Sequence, residues 1–275
     1  MKFNKKTLLF LLTVGAVSPA CAQQDDFGIW TSVGVEKKIN KQWSAEAGVE
    51  FRTADNLQEV SRWGGSLGVN YKLTGFLKLG AGYAYLYDHN AMETKVNYTK
   101  NGNVNGYNVD HAYWQSKHRA YFDVVGSLKS GRFKFSWRER YQYTHSVATD
   151  CDRMRFRDEA QPGYSGESFE WNGQQFTDYE EVVDHKSGKN KHYLRTRAKV
   201  EYNIPKCPLN PYASYELSND LADGLDLDKT RLIVGTEWKI TKQHVLTVGY
   251  LYQHGTDGDH DGGRHVLDLG YTFTF

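Results

Sequence analysis

Apolar and polar residues alternate along most of this chain. In the closing stretch RHVLDLGYTFTF, residues Leu267, Leu269, Tyr271, Phe273 and Phe275 share one parity, while Asp268, Gly270, Thr272 and Thr274 share the other. FLKLGAGYAYLYD sets Leu77, Leu79, Tyr83, Tyr85 and Tyr87 against Lys78, Gly80 and Gly82. RFKFSWRERYQY sets Phe133, Phe135, Trp137, Tyr141 and Tyr143 against Lys134, Arg138, Arg140 and Gln142, and HYLRTRAKVEYNI repeats the arrangement. A period of two marks extended strands with two unlike faces.

Eleven such segments can be counted, at about 27 to 37, 43 to 54, 61 to 73, 76 to 88, 112 to 128, 132 to 146, 191 to 204, 210 to 218, 229 to 240, 244 to 254 and 264 to 275. Short connections such as LKSGR and KITKQH alternate with long ones over 88 to 111, 147 to 190, 218 to 229 and 255 to 263. Short turns on one side and long polar loops on the other predict an all-β fold, a transmembrane antiparallel β-barrel of 10 to 12 strands, with short periplasmic turns and long extracellular loops. Single-chain bacterial barrels have an even strand number. Eleven segments therefore leave open a ten-strand barrel with the first segment tucked inside, and a twelve-strand barrel with one turn misread.

Composition narrows the class. Mean hydropathy is −0.67, too polar for a helical membrane bundle, yet a barrel turns only alternate residues toward lipid. Tyr at 19 and Trp at 7 suit aromatic girdles at two interfaces. Net charge is +1, so no strong field points to nucleic acid. The opening MKFNKKTLLFLLTVGAVSPACAQQDD has the basic start, short apolar run and Ala-x-Ala end of a secretory signal, residues 1–22, leaving 23–275 as a single domain. Lipidation at Cys21 is disfavoured because Ser18 stands where an aliphatic residue is wanted. Export implies a Gram-negative outer membrane, with its lipid and lipopolysaccharide as surroundings. Of the remaining cysteines, Cys151 falls in the longest connection and Cys207 in a short turn on the opposite side, so no bridge between them is expected.

The stretches DFGIWTSVGVEKKINKQWSAEAGVEFR, HRAYFDVV, RFKFSWRERYQY, RTRAKVEYNI, PYASYELSND, TRLIVGTEW and HVLDLGYTF resemble the outer-membrane barrel family catalogued as domain of unknown function 2490. They spread over nearly all of the chain outside the long connections. The resemblance implies location and fold, and brings no substrate or catalytic residue with it. The aromatic end formed by Tyr271, Phe273 and Phe275 is similar to the assembly signal of outer-membrane barrels, which implies the barrel assembly machinery as a partner during biogenesis.

Three constellations could carry chemistry. Asp257, Asp259, Asp261 and Gly262 match the opening of a calcium loop, with Asp268 where its last carboxylate belongs. Absent helices and a strand position for Asp268 weigh against Ca2+. On the lipid-facing parity of the hairpin 112 to 146, Ser116, His118, Glu139 and His145 are the residue types of an activated hydroxyl, and pairing about Ser130 would place Ser116 near His145 and Glu139 near His118. Such a set would make the protein an outer-membrane lipid acyl hydrolase; the bland alternative is polar residues meeting headgroups at the rim, with no enzyme. On the inward parity stand Arg119, Asp123, Arg138, Arg140, Arg195 and Arg197, followed by Lys199, Glu201, Glu216, Arg231 and Glu237. That mixture reads first as a paired plug in a structural or surface-interaction barrel, and otherwise as a narrow anion-preferring pore.

Overall fold

The computed structural model describes residues 26–158, 168–255 and 263–275. Eleven strands close into a barrel: β1 (Asp26–Lys38), β2 (Trp43–Ala54), β3 (Glu59–Lys72), β4 (Leu77–Asn90), β7 (Tyr113–Ser130), β8 (Phe133–Ser146), β13 (Lys189–Tyr202), β14 (Leu209–Asp220), β15 (Asp226–Lys239), β16 (His244–Gly255) and β17 (Gly263–Thr274). Every neighbouring pair is antiparallel except the closing one. There β1 runs parallel to β17, in register from Asp26 opposite Arg264 to Glu36 opposite Thr274.

The parallel seam corrects the even-number expectation. All eleven segments are wall strands, so the first is neither tucked inside nor one of twelve. A closed sheet requires only that no edge is left unpaired, and a parallel pair meets that requirement as an antiparallel one does. The seam is tied at its end by the backbone, where Phe275 N donates to Glu36 O and Lys38 N donates to Phe275 O.

Five turns join strands at the rim that carries Phe275; we call this the turn rim. At the opposite rim two of the connections expected to be long polar loops, 88 to 111 and 147 to 190, are folded over their described residues, which is a second correction, and most of the connection 255 to 263 lies outside the described residues. Residues β5 (Glu93–Tyr98), β6 (Val104–Asp110), β9 (Thr149–Arg157) and β12 (Asp178–Lys186) form a separate four-stranded sheet in the order β12-β9-β6-β5. A small hairpin, β10 (Phe169–Trp171) and β11 (Gln174–Phe176), accompanies it. Each strand of this crown continues a barrel strand after a two-residue break, β4 into β5, β6 into β7, β8 into β9 and β12 into β13. The crown has its own core of Val109, Phe156 and Phe176, packed by Tyr107, Met154, Trp171 and Tyr179. Gly106, at φ 142°, lies where a Cβ would meet the Phe156 carbonyl, so the close pairing of β6 on β9 requires glycine there. The third long connection shrinks to Leu221–Leu225, because β14 reaches Asp220 and β15 starts at Asp226.

Alternation sorts the side chains as the pleat dictates. The outer wall is apolar around the barrel, including Val33, Val49, Trp63, Leu67, Leu128 and Val234, and Leu128 is 67% exposed. The inner face is identified by contacts between strands that are not neighbours, such as Tyr121 of β7 with Glu46 of β2 and Arg231 of β15 over Trp30 of β1.

Candidate functional site: the charged lumen

Glu216 is the centre of the lumen. It is 2% exposed and accepts from four arginines: Arg138 at 2.7 Å, Arg197 at 2.7 Å, Arg231 at 3.2 Å and Arg195. These cations come from β8, β13 and β15, on both sides of β14. Arg195 and Arg197 reach the carboxylate from the adjacent strand, and Arg138 reaches it past them from the next. Guanidinium groups suit this crowding because their planar forks share a carboxylate without competing for one line of approach.

A second network occupies the opposite wall. Arg62 grips Asp88 with two bonds at 2.5 and 2.7 Å, Lys117 joins Asp88 at 3.0 Å, and Arg52 holds Glu50 at 2.8 Å. Arg52 also lies over the Trp30 ring, 4.0 Å from its centroid. Arg140 and Asp123 form a bidentate pair at 2.6 and 2.7 Å, with Arg140 stacked on Tyr121. Arg119 bonds Thr144 Oγ1 at 3.3 Å and pairs with no carboxylate among the described residues. Nearer the turn rim, Lys199 bridges Glu201 and Glu237, and Lys134 also holds Glu201.

Bulky side chains as well as charged ones project into the lumen. Tyr121 lies across the lumen above Gly82, where a Cβ would come within 2.3 Å of the tyrosine ring. An apolar patch of Tyr212, Ile233, Leu251 and Val266, with Trp30 against it, lines the inner wall beside the seam. Sequence reasoning passed over this patch and over Glu50, Arg52, Arg62, Asp88 and Lys117. Parity could have found the charged ones, since WSAEAGVEFRT places Glu46, Glu50 and Arg52 on one face.

The outer-face set is not assembled as expected. Ser130 pairs with Phe133 across a two-residue turn, and that register puts His118 opposite His145 and Glu139 opposite Val124. Glu139 is therefore six residues along the strand from the position facing His118, about 20 Å at ~3.3 Å per residue, and it accepts from Thr196 Oγ1 at 2.8 Å. Ser116 Oγ meets Tyr85 OH at 2.7 Å, His118 Nδ1 meets Tyr83 OH at 2.6 Å, and His145 Nδ1 meets Asn190 Oδ1 at 2.7 Å. No serine, imidazole and carboxylate form a relay here. Ser116, His118 and His145 belong to a belt of tyrosine, histidine and asparagine contacts on the crown half of the outer wall, and Glu139 lies apart from it, bonded to Thr196.

A third cluster lies at the base of the crown. Asp110, 1% exposed, receives Arg153 and Lys186, and Arg153 also holds Asp184 at 2.7 Å. Cys151 is buried beside them, and its thiol, Asp110 and Asp184 offer ligand atoms within 4.8 Å of one another. Both carboxylates are already neutralised by Arg153 and Lys186, so the geometry is that of an ion-pair cluster. Cys151 and Cys207 are both free thiols, separated by the full length of β13. Of the calcium-loop residues, Asp257, Asp259 and Asp261 lie outside the described residues, and Asp268 sits in β17 facing the lumen.

Burial raises the Asp110 carboxyl, and hydrogen bonds from Arg153 and Lys186 outweigh it, holding the group below its ordinary value. Burial likewise opposes the charge on Lys186, yet its bonds to Asp110 and Asp184 raise it above the usual lysine range. A depressed carboxyl contributes stability that is complete above its unfolded value of about 4 and disappears as pH falls through the folded value. Amide exchange in β6, β9 and β12 should thus stay slow from neutrality to about pH 4 and accelerate below it, and Asp110→Asn should remove that acid step. Loosening of the crown between pH 7 and 5 would contradict the assignment.

No curated protein matches this chain. The family model described as Protein of unknown function (DUF2490) matches residues 27–264, from the first turn of β1 to the start of β17, and the chain belongs to that family.

Proposed function

We propose that this protein is an integral outer-membrane barrel of a Gram-negative bacterium, sealed by its own lumen charges and displaying the crown outside. One observation carries the reading: the barrel turns an apolar, ring-rich wall outward on all sides and buries its ions inside. A water-soluble barrel would reverse those faces. Phe133, Phe135 and Tyr202 near the turn rim, and Tyr85, Tyr87 and Trp114 near the crown, stand where two interfacial girdles belong. No helix among the described residues is long and apolar enough to cross a membrane, so crossing falls to the strands.

In this orientation the short turns are periplasmic and the lipid surroundings are phospholipid and lipopolysaccharide. Tyr271, Phe273 and Phe275 then end at the periplasmic rim, where the assembly machinery engages a terminal strand. Residue 26 comes to the outer rim, because β1 runs parallel to β17. The role supported is structural or surface-interacting, since Glu216, Tyr121 and their partners fill the interior. An acyl hydrolase has no support from the separated Ser116 and Glu139.

Fractionation and bilayer recording test this together. The protein should be recovered in outer membranes, migrate differently on gels before and after heating, and give no stepwise conductance in planar bilayers. Recovery as a soluble periplasmic monomer would remove the membrane reading. Discrete anion-selective openings would replace the plug with the narrow pore.

A further inference from the structure

One row of directly opposed residues crosses seven strands of the outer wall. Val33 of β1 faces Val49, and the row continues through Gly65, Tyr85, His118 and His145 to Asn190 of β13. Strand tilt makes such a row climb around a closed barrel. Val33 stands five residues from the turn-rim end of β1 and Gly65 seven from that of β3, whereas His118 and His145 stand twelve from those of β7 and β8. The row therefore starts at mid-wall and ends beneath the crown.

Its chemistry changes along the climb. The lower part is a groove of about 510 Å3 lined by Val33, Val49, Phe51 and Trp63. Gly65 lies in its floor, where an added Cβ would meet nothing nearer than the Gly48 carbonyl at 4.0 Å. Tyr85 belongs to both parts: it lines the groove, and its hydroxyl meets Ser116 Oγ at 2.7 Å. Beyond it the row is polar. Tyr83 OH meets His118 Nδ1, and Asn190 Oδ1 accepts from Tyr143 OH and from His145 Nδ1, so Nε2 is the atom each imidazole has left for a ligand. These groups form one patch, because the His118 ring lies 5.6 Å from that of Tyr85 and 6.5 Å from that of His145. Gly65 and His118 are two strand spacings apart, about 10 Å.

An apolar trough that ends in hydroxyl and imidazole groups suits an amphiphile, with its tail at mid-wall and its head under the crown. We infer that this row is a binding site for one lipopolysaccharide molecule, with an acyl chain over Gly65 and a lipid A phosphate against Ser116, His118 and His145. Hydroxyl and imidazole donors match phosphate oxygens, and an imidazolium adds charge to the bond. Height selects the lipid, since in the orientation proposed above the crown end is the outer leaflet. A larger groove nearer the turn rim, past Trp137, Ala198 and Ala213, leads instead toward Glu139, a carboxylate that repels phosphate. The site rests on the membrane reading and is independent of the plug.

The purified barrel in detergent, titrated with lipid A, dephosphorylated lipid A or phosphatidylethanolamine and followed by native mass spectrometry, tests it. One lipid A should be retained per barrel, and retention should saturate. Removing the phosphates should weaken it about tenfold or more, the scale of one charge-assisted bond, and phosphatidylethanolamine should exchange freely. Gly65→Leu fills the groove floor and should weaken lipid A by a similar factor. His118→Leu should do the same and narrow the gap between the two forms of lipid A. Ala198→Leu, in the other groove, should change nothing. Each variant is checked for the heat-modifiable band, and Ser116→Ala, a smaller change, replaces any that fails to assemble.

Retention of phosphatidylethanolamine equal to that of lipid A would reduce the row to ordinary lipid contact and overturn the site. Full lipid A binding in Gly65→Leu or in His118→Leu would overturn it as well. Recovery as a soluble monomer would remove the membrane reading, and a soluble monomer that still bound lipid A through Gly65 and His118 would keep the site.

Discussion

Glu216→Gln is expected to be the most damaging single substitution in the barrel. The side chain keeps its shape, but four guanidinium groups lose their common anion and face an amide that brings donors of its own. Breaking a buried ion pair by removing one partner costs about 3–5 kcal/mol, because the survivor stays buried and uncompensated. Here the survivors are four, and their mutual repulsion was screened by the group removed. A loss of at least about 4 kcal/mol is therefore expected in urea unfolding from detergent, with a matching fall in assembled yield. The arginines behave differently. Arg197→Gln leaves Glu216 with three cations, so its cost should be nearer about 1 kcal/mol, the net value of a hydrogen bond. Were the four arginines a selectivity ring with Glu216 incidental, Glu216→Gln would unfold with the wild type and change only ion preference. That outcome would falsify the plug.

This asymmetry shows where sequence reading stops. Parity alone places Arg138, Arg195, Arg197, Arg231 and Glu216 on the inner face, because successive Cβ atoms alternate across a strand. It does not say that four of them converge on the fifth, which depends on three strand registers and on closure of the sheet. The walls themselves were legible: WSAEAGVEFRTA is β2 to the residue, and the other ten segments fall within a few residues of the strands found. Eleven segments carry the period of two and eleven strands form the wall, because the even-number rule describes known barrels and is not a requirement of pairing. Glu139 was misplaced for a local reason. A shift of the turn beyond Ser130 moves every partner along the hairpin, and the register is fixed by the two-residue loop Gly131 and Arg132. The crown was missed because its strands announce themselves weakly. In TDCDRMRFR only Met154 and Phe156 mark an apolar face, and VNGYNVD is rich in Asn and Gly. Their pairing comes from being extensions of barrel strands already held side by side.

That dependence runs one way, which leads to the second large effect. The crown is held in register by β4, β7, β8 and β13, but its core is separate from the apolar patch of Ile233, Leu251 and Val266 in the barrel. Phe156 is the centre of the crown core, with Trp171 at 5.3 Å, Tyr179 at 5.1 Å and Phe176 at 5.6 Å between ring centroids. Phe156→Ala should remove about 3–5 kcal/mol from that core. A four-stranded sheet with three buried core side chains has little stability to spare, so the crown should open locally while the barrel stays closed. Trypsin would then cut after Arg153, Arg155, Arg157 and Lys186, which pairing protects in the wild type. The eleven barrel strands should remain protease-resistant, and the heat-modifiable band should keep its midpoint. A barrel midpoint that falls in step with crown cleavage would mean one cooperative unit, with β9 and β12 helping to hold β8 against β13 rather than being carried by them.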